Sequence, residues 1–175
     1  MRNKVKTGVD LKKTLADRRA KGQKIVFTNG CFDLIHIGHT RYLQAARELG
    51  DLLVVGVNSD ASLRALNKGA GRPIVPDAQR AEVLSALACV DYVVLFDEPD
   101  PGRLIADLQP DILVKGGDWA PDQIIGREIV EARGGTVRTI PLVPGVSTTS
   151  LVQKIQATKT GGSPADAPPA PTGKS

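Results

Sequence analysis

His36 and His39 are the only histidines of the 175-residue chain, and they stand three residues apart. On a helix that spacing places two side chains on one face. Both lie within Thr28-Asn29-Gly30-Cys31-Phe32-Asp33-Leu34-Ile35-His36-Ile37-Gly38-His39, which follows an apolar run and precedes a helical pattern. The stretch reads as a strand, a glycine-containing loop and a helix start. A helix N-terminus offers free backbone N–H groups and a partial positive charge, a ready site for phosphate. A neutral imidazole adds a hydrogen-bond donor to a phosphoryl oxygen, and an imidazolium offsets charge that develops in a transition state. A metal site using Cys31 as third ligand is the alternative, but no further histidine or second cysteine lies nearby in sequence to complete it.

Other residues suit the same anion. Ser147, Thr148 and Thr149 open the last helical pattern, where hydroxyls cap the helix and can also meet phosphate oxygens. Lys115 follows an apolar run and precedes Gly116-Gly117-Asp118, where the backbone allows close approach of a substrate or phosphate. Lys68 and Arg72 lie in a glycine-rich basic loop, 67–73, expected to be mobile; they either close over phosphates or stay in solvent. Asp33, at the turn before the helix, either contacts substrate or hydrogen-bonds loop N–H groups in support of the histidines. Cys31 has no general base but those histidines and either packs or contributes a loop N–H. Neither the dinucleotide fingerprint G-x-G-x-x-G nor a G-x-x-x-x-G-K-[ST] phosphate loop is present.

The elements that must position these residues alternate. Strands are expected at 25–27, 52–57, 92–96, 112–114 and 136–140, the second apolar throughout as in a strand buried on both faces. Helices are expected at 9–20, 37–49, 61–66, 76–88, 100–108, 124–132 and 150–157, with Val83, Leu84 and Leu87 forming the apolar face of the fourth. This alternation predicts one doubly wound α/β domain with about five parallel strands, whose ligands bind beyond the carboxyl ends of the strands. Asn29 to His39, Asn58 to Asp60, Lys115 to Trp119 and the loop before Ser147 all fall at such ends. Residues 1–22 read as an N-terminal helical extension at the domain's edge, 23–157 as the domain, and 158–175 as a disordered tail of Gly, Pro, Ala, Ser and Thr.

Bulk properties narrow the class. The net charge is +4, but basic and acidic residues are interleaved, which favours a small anionic substrate over nucleic acid. No apolar run reaches the roughly 18 residues that span a bilayer. The first ten residues lack the apolar core of a secretory signal. Two cysteines, Cys31 and Cys89, make no disulfide framework, and the cytoplasm is the expected compartment.

Several of these stretches resemble a known family. Gly30 to His39 resembles the nucleotide-binding motif of the cytidylyltransferase-like nucleotidyltransferase superfamily, with its HxGH signature, and Val146-Ser147-Thr148-Thr149 resembles its second motif. Asn58-Ser59-Asp60, Gly71-Arg72-Pro73, Arg80-Ala81-Glu82-Val83-Leu84, Cys89-Val90-Asp91-Tyr92-Val93-Val94 and Val114-Lys115-Gly116-Gly117-Asp118-Trp119 are together similar to one branch, the D-glycero-β-D-manno-heptose 1-phosphate adenylyltransferases of lipopolysaccharide precursor synthesis. The resemblance runs from about residue 24 to 155.

The resemblance implies a Rossmann-like fold and the reaction of ATP with heptose 1-phosphate to ADP-heptose and diphosphate. It implies phosphate contacts and transition-state stabilisation from His36 and His39, nucleotide contacts from Asn29, Gly30, Cys31, Phe32, Gly38 and Ser147 to Thr149, and a catalytic Lys115. Asp33, Asp60, Lys68, Arg72, Gly116, Gly117, Asp118 and Trp119 are the substrate-side candidates. Mg²⁺ is expected to ride on the ATP phosphates with few protein ligands. In many bacteria this activity is half of a bifunctional protein with a sugar kinase; 175 residues leave no room for a kinase domain, so the stand-alone form served by a separate heptose kinase is expected, and a homodimer with it. One departure stands out: some members carry an arginine shortly before the second motif, where this chain has Leu142-Val143-Pro144. A transferase for another phosphate monoester such as glycerol 3-phosphate, using CTP or ATP, and a non-catalytic nucleotide-binding module are the competing readings.

Overall fold

The computed structural model describes residues 4–65, 73–117, 119 and 123–159. Five parallel strands form one sheet: β1 (Ile25–Gly30), β2 (Leu52–Asn58), β3 (Tyr92–Phe96), β4 (Ile112–Gly116) and β5 (Thr136–Ile140). Their order is β3-β2-β1-β4-β5. The chain winds outward from β1 to β3, then crosses back to place β4 on the other side of β1. Winding therefore reverses between β1 and β4, and a crevice opens beyond their carboxyl ends.

The helices are α1 (Gly8–Ala20), α2 (Ile37–Arg47), α3 (Asp60–Ala65), α4 (Asp77–Ala86), α5 (Gly102–Leu108), α6 (Arg127–Glu131) and α7 (Thr148–Lys159). Strand side chains alternate between faces, so continuous apolar strands feed two cores. Ile25, Phe27, Leu52 and Val54 pack with Leu11, Leu15, Ile105 and Leu108 on one side. Val26, Leu53, Val55 and Val57 pack with Tyr42, Leu43, Ala81 and Leu84 on the other. Among the described residues no helix is long and apolar enough to cross a membrane.

Several boundaries differ from the expectation. β1 and β4 each run two or more residues further, so Asn29, Gly30, Lys115 and Gly116 are strand residues. Pairing decides this: Asn29 and Gly30 stand opposite Gly56 and Val57, and Lys115 and Gly116 opposite Thr139 and Ile140. These partners override the turn preference of Asn and Gly. α4 buries Arg80, Ala81 and Leu84, whereas Val83 is exposed. α6 starts only at Arg127, because Gly126 takes φ 91°, outside helical space. α7 continues to Lys159, two residues into the stretch expected as tail.

The segment set apart as an extension is tied into the domain. Leu11 and Leu15 of α1 are fully buried in the first core. Val5 bridges to Val93 on the outer edge of β3, with Lys6 N–H donating to Val93 O and Val93 N–H to Lys4 O, each at 2.9 Å. At the opposite end from the crevice, three aspartates each stand immediately before a strand. Asp51 accepts from Lys24 N at 2.7 Å, Asp91 from Leu53 N at 2.8 Å and Asp111 from Ile25 N at 2.8 Å.

Candidate active site

α2 begins at the turn that follows β1, and His36 is its N-cap residue without a capping side-chain hydrogen bond. Of the first-turn N–H groups, that of His39 already donates to His36 O at 2.9 Å, and those ahead of it are left to a ligand or solvent. The rings of His36 and His39 stack, with centroids 3.9 Å apart and planes 18° from parallel. Phe32 leans on His39 at 5.3 Å. Gly38 makes room for the stack, because a Cβ there would lie 3.0 Å from Cε1 and Nδ1 of His36. Gly30 does the same for the Phe32 ring, which a Cβ would meet at 3.0 Å. Phe32 itself takes φ 48°, in the left-handed region.

Electrostatics keep the pair neutral. Burial pushes the His39 imidazole down to about 4, with the neighbouring His36 adding to the effect. Burial lowers His36 too. Nδ1 of each ring is buried without a hydrogen-bond partner. The two rings themselves line the cleft beside the helix start, where their edges can meet a ligand.

The far wall comes from β4 and α7. Lys115 Nζ donates to Asn29 Oδ1 at 2.5 Å, joining the ends of β4 and β1 across the winding reversal. Tyr42 forms the floor: its hydroxyl lies 2.6 Å from Thr28 Oγ1 and donates to Val114 O at 3.2 Å. Burial pushes its phenol up to about 12. Ser147 caps α7 by accepting from Ser150 N at 3.0 Å, and Ser150 Oγ accepts in return from Ser147 N at 3.1 Å. Ser147 is therefore committed as a cap.

A cleft of about 290 Å³ is bounded by these elements; Asn29, Gly30, Cys31, Phe32, His36, Gly38, His39, Gly116, Ser147 and Thr148 line it, with Tyr42, Leu142, Val143 and Val146. Most candidates from the sequence thus converge, and Lys115 joins through Asn29. Gly117 follows at φ 97° with its N–H on Ile140 O, and Trp119 is exposed; neither lines this cleft, nor does Thr149. Lys68, Arg72 and Asp118 lie outside the described residues.

Asp33 and Asp60 are engaged within the protein. Asp33 Oδ1 accepts from Ile74 N and Val75 N, both at 2.9 Å, which is the supporting role open to it from the sequence. Asp60 Oδ1 accepts from Arg80 Nη2 at 2.7 Å. Arg80 went unassigned from sequence. It is 1% exposed, and its signal was present: an arginine one turn before Leu84, on the buried face of α4.

Comparison with known proteins accords with this geometry. The chain is 57% identical over 138 residues to the "Bifunctional protein HldE" of Geotalea uraniireducens, covering 79% of this chain and 28% of that protein. It is 52% identical over 152 residues to the protein of the same name from Photorhabdus laumondii, covering 87% and 32%. The chain thus spans about a third or less of the length of these relatives. Among solved structures it resembles the lipopolysaccharide core biosynthesis protein from Thermoplasma volcanium, with TM-score 0.58 and 30% identity, covering 70% of this chain and 98% of that one. The sequence model of the cytidylyltransferase-like family matches residues 27–158, and with the paired histidines placed as above the chain belongs to that family.

Proposed function

We propose that this protein transfers the adenylyl group of ATP to D-glycero-β-D-manno-heptose 1-phosphate, releasing diphosphate. The observation that carries this reading is the stacked, uncharged His36–His39 pair beside the uncapped start of α2 and facing α7. A sugar-phosphate oxygen attacks the α-phosphorus, and the bond to the β-phosphate oxygen breaks in line. No covalent enzyme intermediate is required. Positioning and charge stabilisation supply the catalysis.

In this scheme His36, His39 and the first-turn N–H groups of α2 hold the triphosphate from one side. Thr148 and the start of α7 hold it from the other. The anionic ligand favours protonated imidazole, so a proton taken up on binding sits where charge develops on the leaving diphosphate. Lys115, held by Asn29, meets the attacking phosphate. Gly30 leaves room for the Phe32 ring, and Gly116 for Leu142 and Tyr42, side chains that shape the cleft. Lys68, Arg72, Asp118 and Trp119 are assigned to the sugar phosphate from the resemblance alone. Among the described residues no three His, Cys, Asp or Glu side chains converge into a metal cage. Mg²⁺ is proposed to enter on the ATP phosphates, with water completing its shell. A separate kinase supplying the sugar 1-phosphate, a homodimer and a cytoplasmic setting complete the proposal.

The test pairs ATP or CTP with heptose 1-phosphate or glycerol 3-phosphate in the presence of Mg²⁺, reading diphosphate release. Release only from ATP with heptose 1-phosphate is expected. Release from CTP with glycerol 3-phosphate instead would overturn the choice of substrates, and nucleotide binding with no release from any pair would point to a binding module.

A further inference from the structure

Arg80 lies in none of the positions discussed for catalysis, yet it is the largest fully buried side chain of the described residues. Its guanidinium reaches four separate segments. Nη1 donates to Cys31 O at 2.5 Å in the loop after β1. Nη2 donates to Asn58 O at 2.9 Å at the end of β2, and to Asp60 Oδ1 at 2.7 Å at the start of α3. Nε donates to Val75 O at 2.9 Å, before α4. Val75 is in turn tied through its N–H to Asp33, two residues beyond Cys31. A closed ring results: Cys31 to Arg80, Arg80 to Val75, Val75 to Asp33.

One consequence follows from the peptide plane. In a trans peptide the carbonyl of one residue and the N–H of the next point in opposite directions. Arg80 draws the Cys31 carbonyl inward, so the Phe32 N–H is turned the other way. Phe32 is at φ 48°, a conformation a non-glycine residue keeps only when its surroundings enforce it. Cys31 and Phe32 both line the cleft. We propose that Arg80 is a positioning residue: by holding the Cys31 carbonyl it aims the Phe32 N–H into the cleft as a fixed donor to a nucleotide phosphate. This rests on the nucleotide-binding reading above. A planar guanidinium suits the task because it satisfies three carbonyls and a carboxylate at fixed angles, which an ammonium does not.

The chain has three phenylalanines, so protein labelled with ¹⁵N-phenylalanine gives three amide signals, from Phe27, Phe32 and Phe96. Mg-ATP is titrated into wild type and Arg80→Lys, which keeps the charge and changes the geometry. In wild type the Phe32 amide is expected to shift with saturation. In Arg80→Lys that shift is expected to weaken, with kcat/KM down about a hundredfold, the scale of a misplaced reacting geometry. The Phe27 amide, in the core of β1, reports that the sheet is intact. If Arg80→Lys does not fold, Asp60→Asn removes only the ionic partner of Arg80, and the same loss at reduced size, about threefold to tenfold, is expected. A folded variant whose Phe32 responds to ATP as wild type does would overturn the role of Arg80 alone. A wild-type protein in which Mg-ATP moves no Phe32 signal would overturn the nucleotide reading and this proposal with it.

Discussion

The rings of His36 and His39 lie face to face, 3.9 Å apart, at the start of α2. Burial is the main cause that lowers both imidazoles, and for His39 the neighbouring His36 adds to it. His39 is pushed from an ordinary 6.5 to about 4. The sign for stability follows from proton counts. Between those values the unfolded chain holds a proton that the folded site does not, so stability is full above about pH 6.5 and is lost as pH falls toward 4. Because the chain has two histidines, only two imidazole Cε1–H signals are expected by NMR. One should titrate near 4 in the free protein and move upward with ATP bound, since the phosphates favour the charged ring. A midpoint near 6.5 for both histidines in the free protein would contradict this picture.

On the proposed mechanism, replacing His39 by alanine removes a donor from the developing charge. A loss of at least about a hundredfold in kcat is expected, the scale of a deleted oxyanion-type donor. Steady-state kinetics separate this from a binding role, which would raise KM and spare kcat.

Gly38→Ala tests the stack without touching either ring. The new Cβ would lie 3.0 Å from two atoms of the His36 imidazole, a tight contact that the ring must relieve by shifting a few tenths of an ångström, which disturbs its stack on His39. Alanine favours the helix, so stability should hold or rise slightly while kcat drops by about tenfold or more. Thermal melts beside kinetics check both halves of the claim.

The sheet and the histidine pair were legible in the sequence for physical reasons. Residues 52–57 are apolar without alternation, as a strand covered on both faces must be. His36 and His39 sit at a strand-to-helix turn, where local spacing alone places them together. What escaped depends on distant partners. Asp33 finds Ile74 and Val75, and Arg80 finds Cys31, through turns that no periodicity encodes. A charged residue on a helix also reads as solvent-facing, which moved the expected apolar face of α4 onto the exposed Val83. Strand ends were underestimated at Gly30 and Gly116 because glycine signals a turn unless a neighbouring strand pairs with it.

Asn29 and Lys115 should behave as one unit. Their 2.5 Å contact links the two strands that flank the winding reversal. Removing Asn29 takes one anchor from the ammonium, and removing Lys115 leaves the Asn29 amide without its cation. Asn29→Ala and Lys115→Met are each expected to lower kcat/KM, and the double variant to lose less than the product of the two. A coupling of about 1 kcal/mol or more is expected for a contact of this kind. Strict additivity in the cycle would mean that the two act independently.

Asp111 offers the converse case, a residue that holds the fold and leaves the chemistry alone. It stands just before β4, at the end of the sheet opposite the cleft, and its carboxylate accepts the Ile25 N–H at 2.8 Å. Its own N–H donates to Ile25 O at 3.0 Å, so β1 and β4 are latched in register by a two-point contact. Asp111→Ala leaves the Ile25 N–H at the mouth of a parallel pair without its acceptor. A destabilisation of about 1–2 kcal/mol is expected from such a loss. Urea unfolding should show a lower midpoint with an unchanged slope, because the surface exposed on unfolding is the same. Turnover at a temperature where both proteins are folded should match wild type, since the register of β1 is also set by β2 along six residue pairs, Ile25 to Gly30. If kcat fell along with the midpoint, the β1–β4 latch would have to be transmitting its register to Asn29 and Lys115 at the other end.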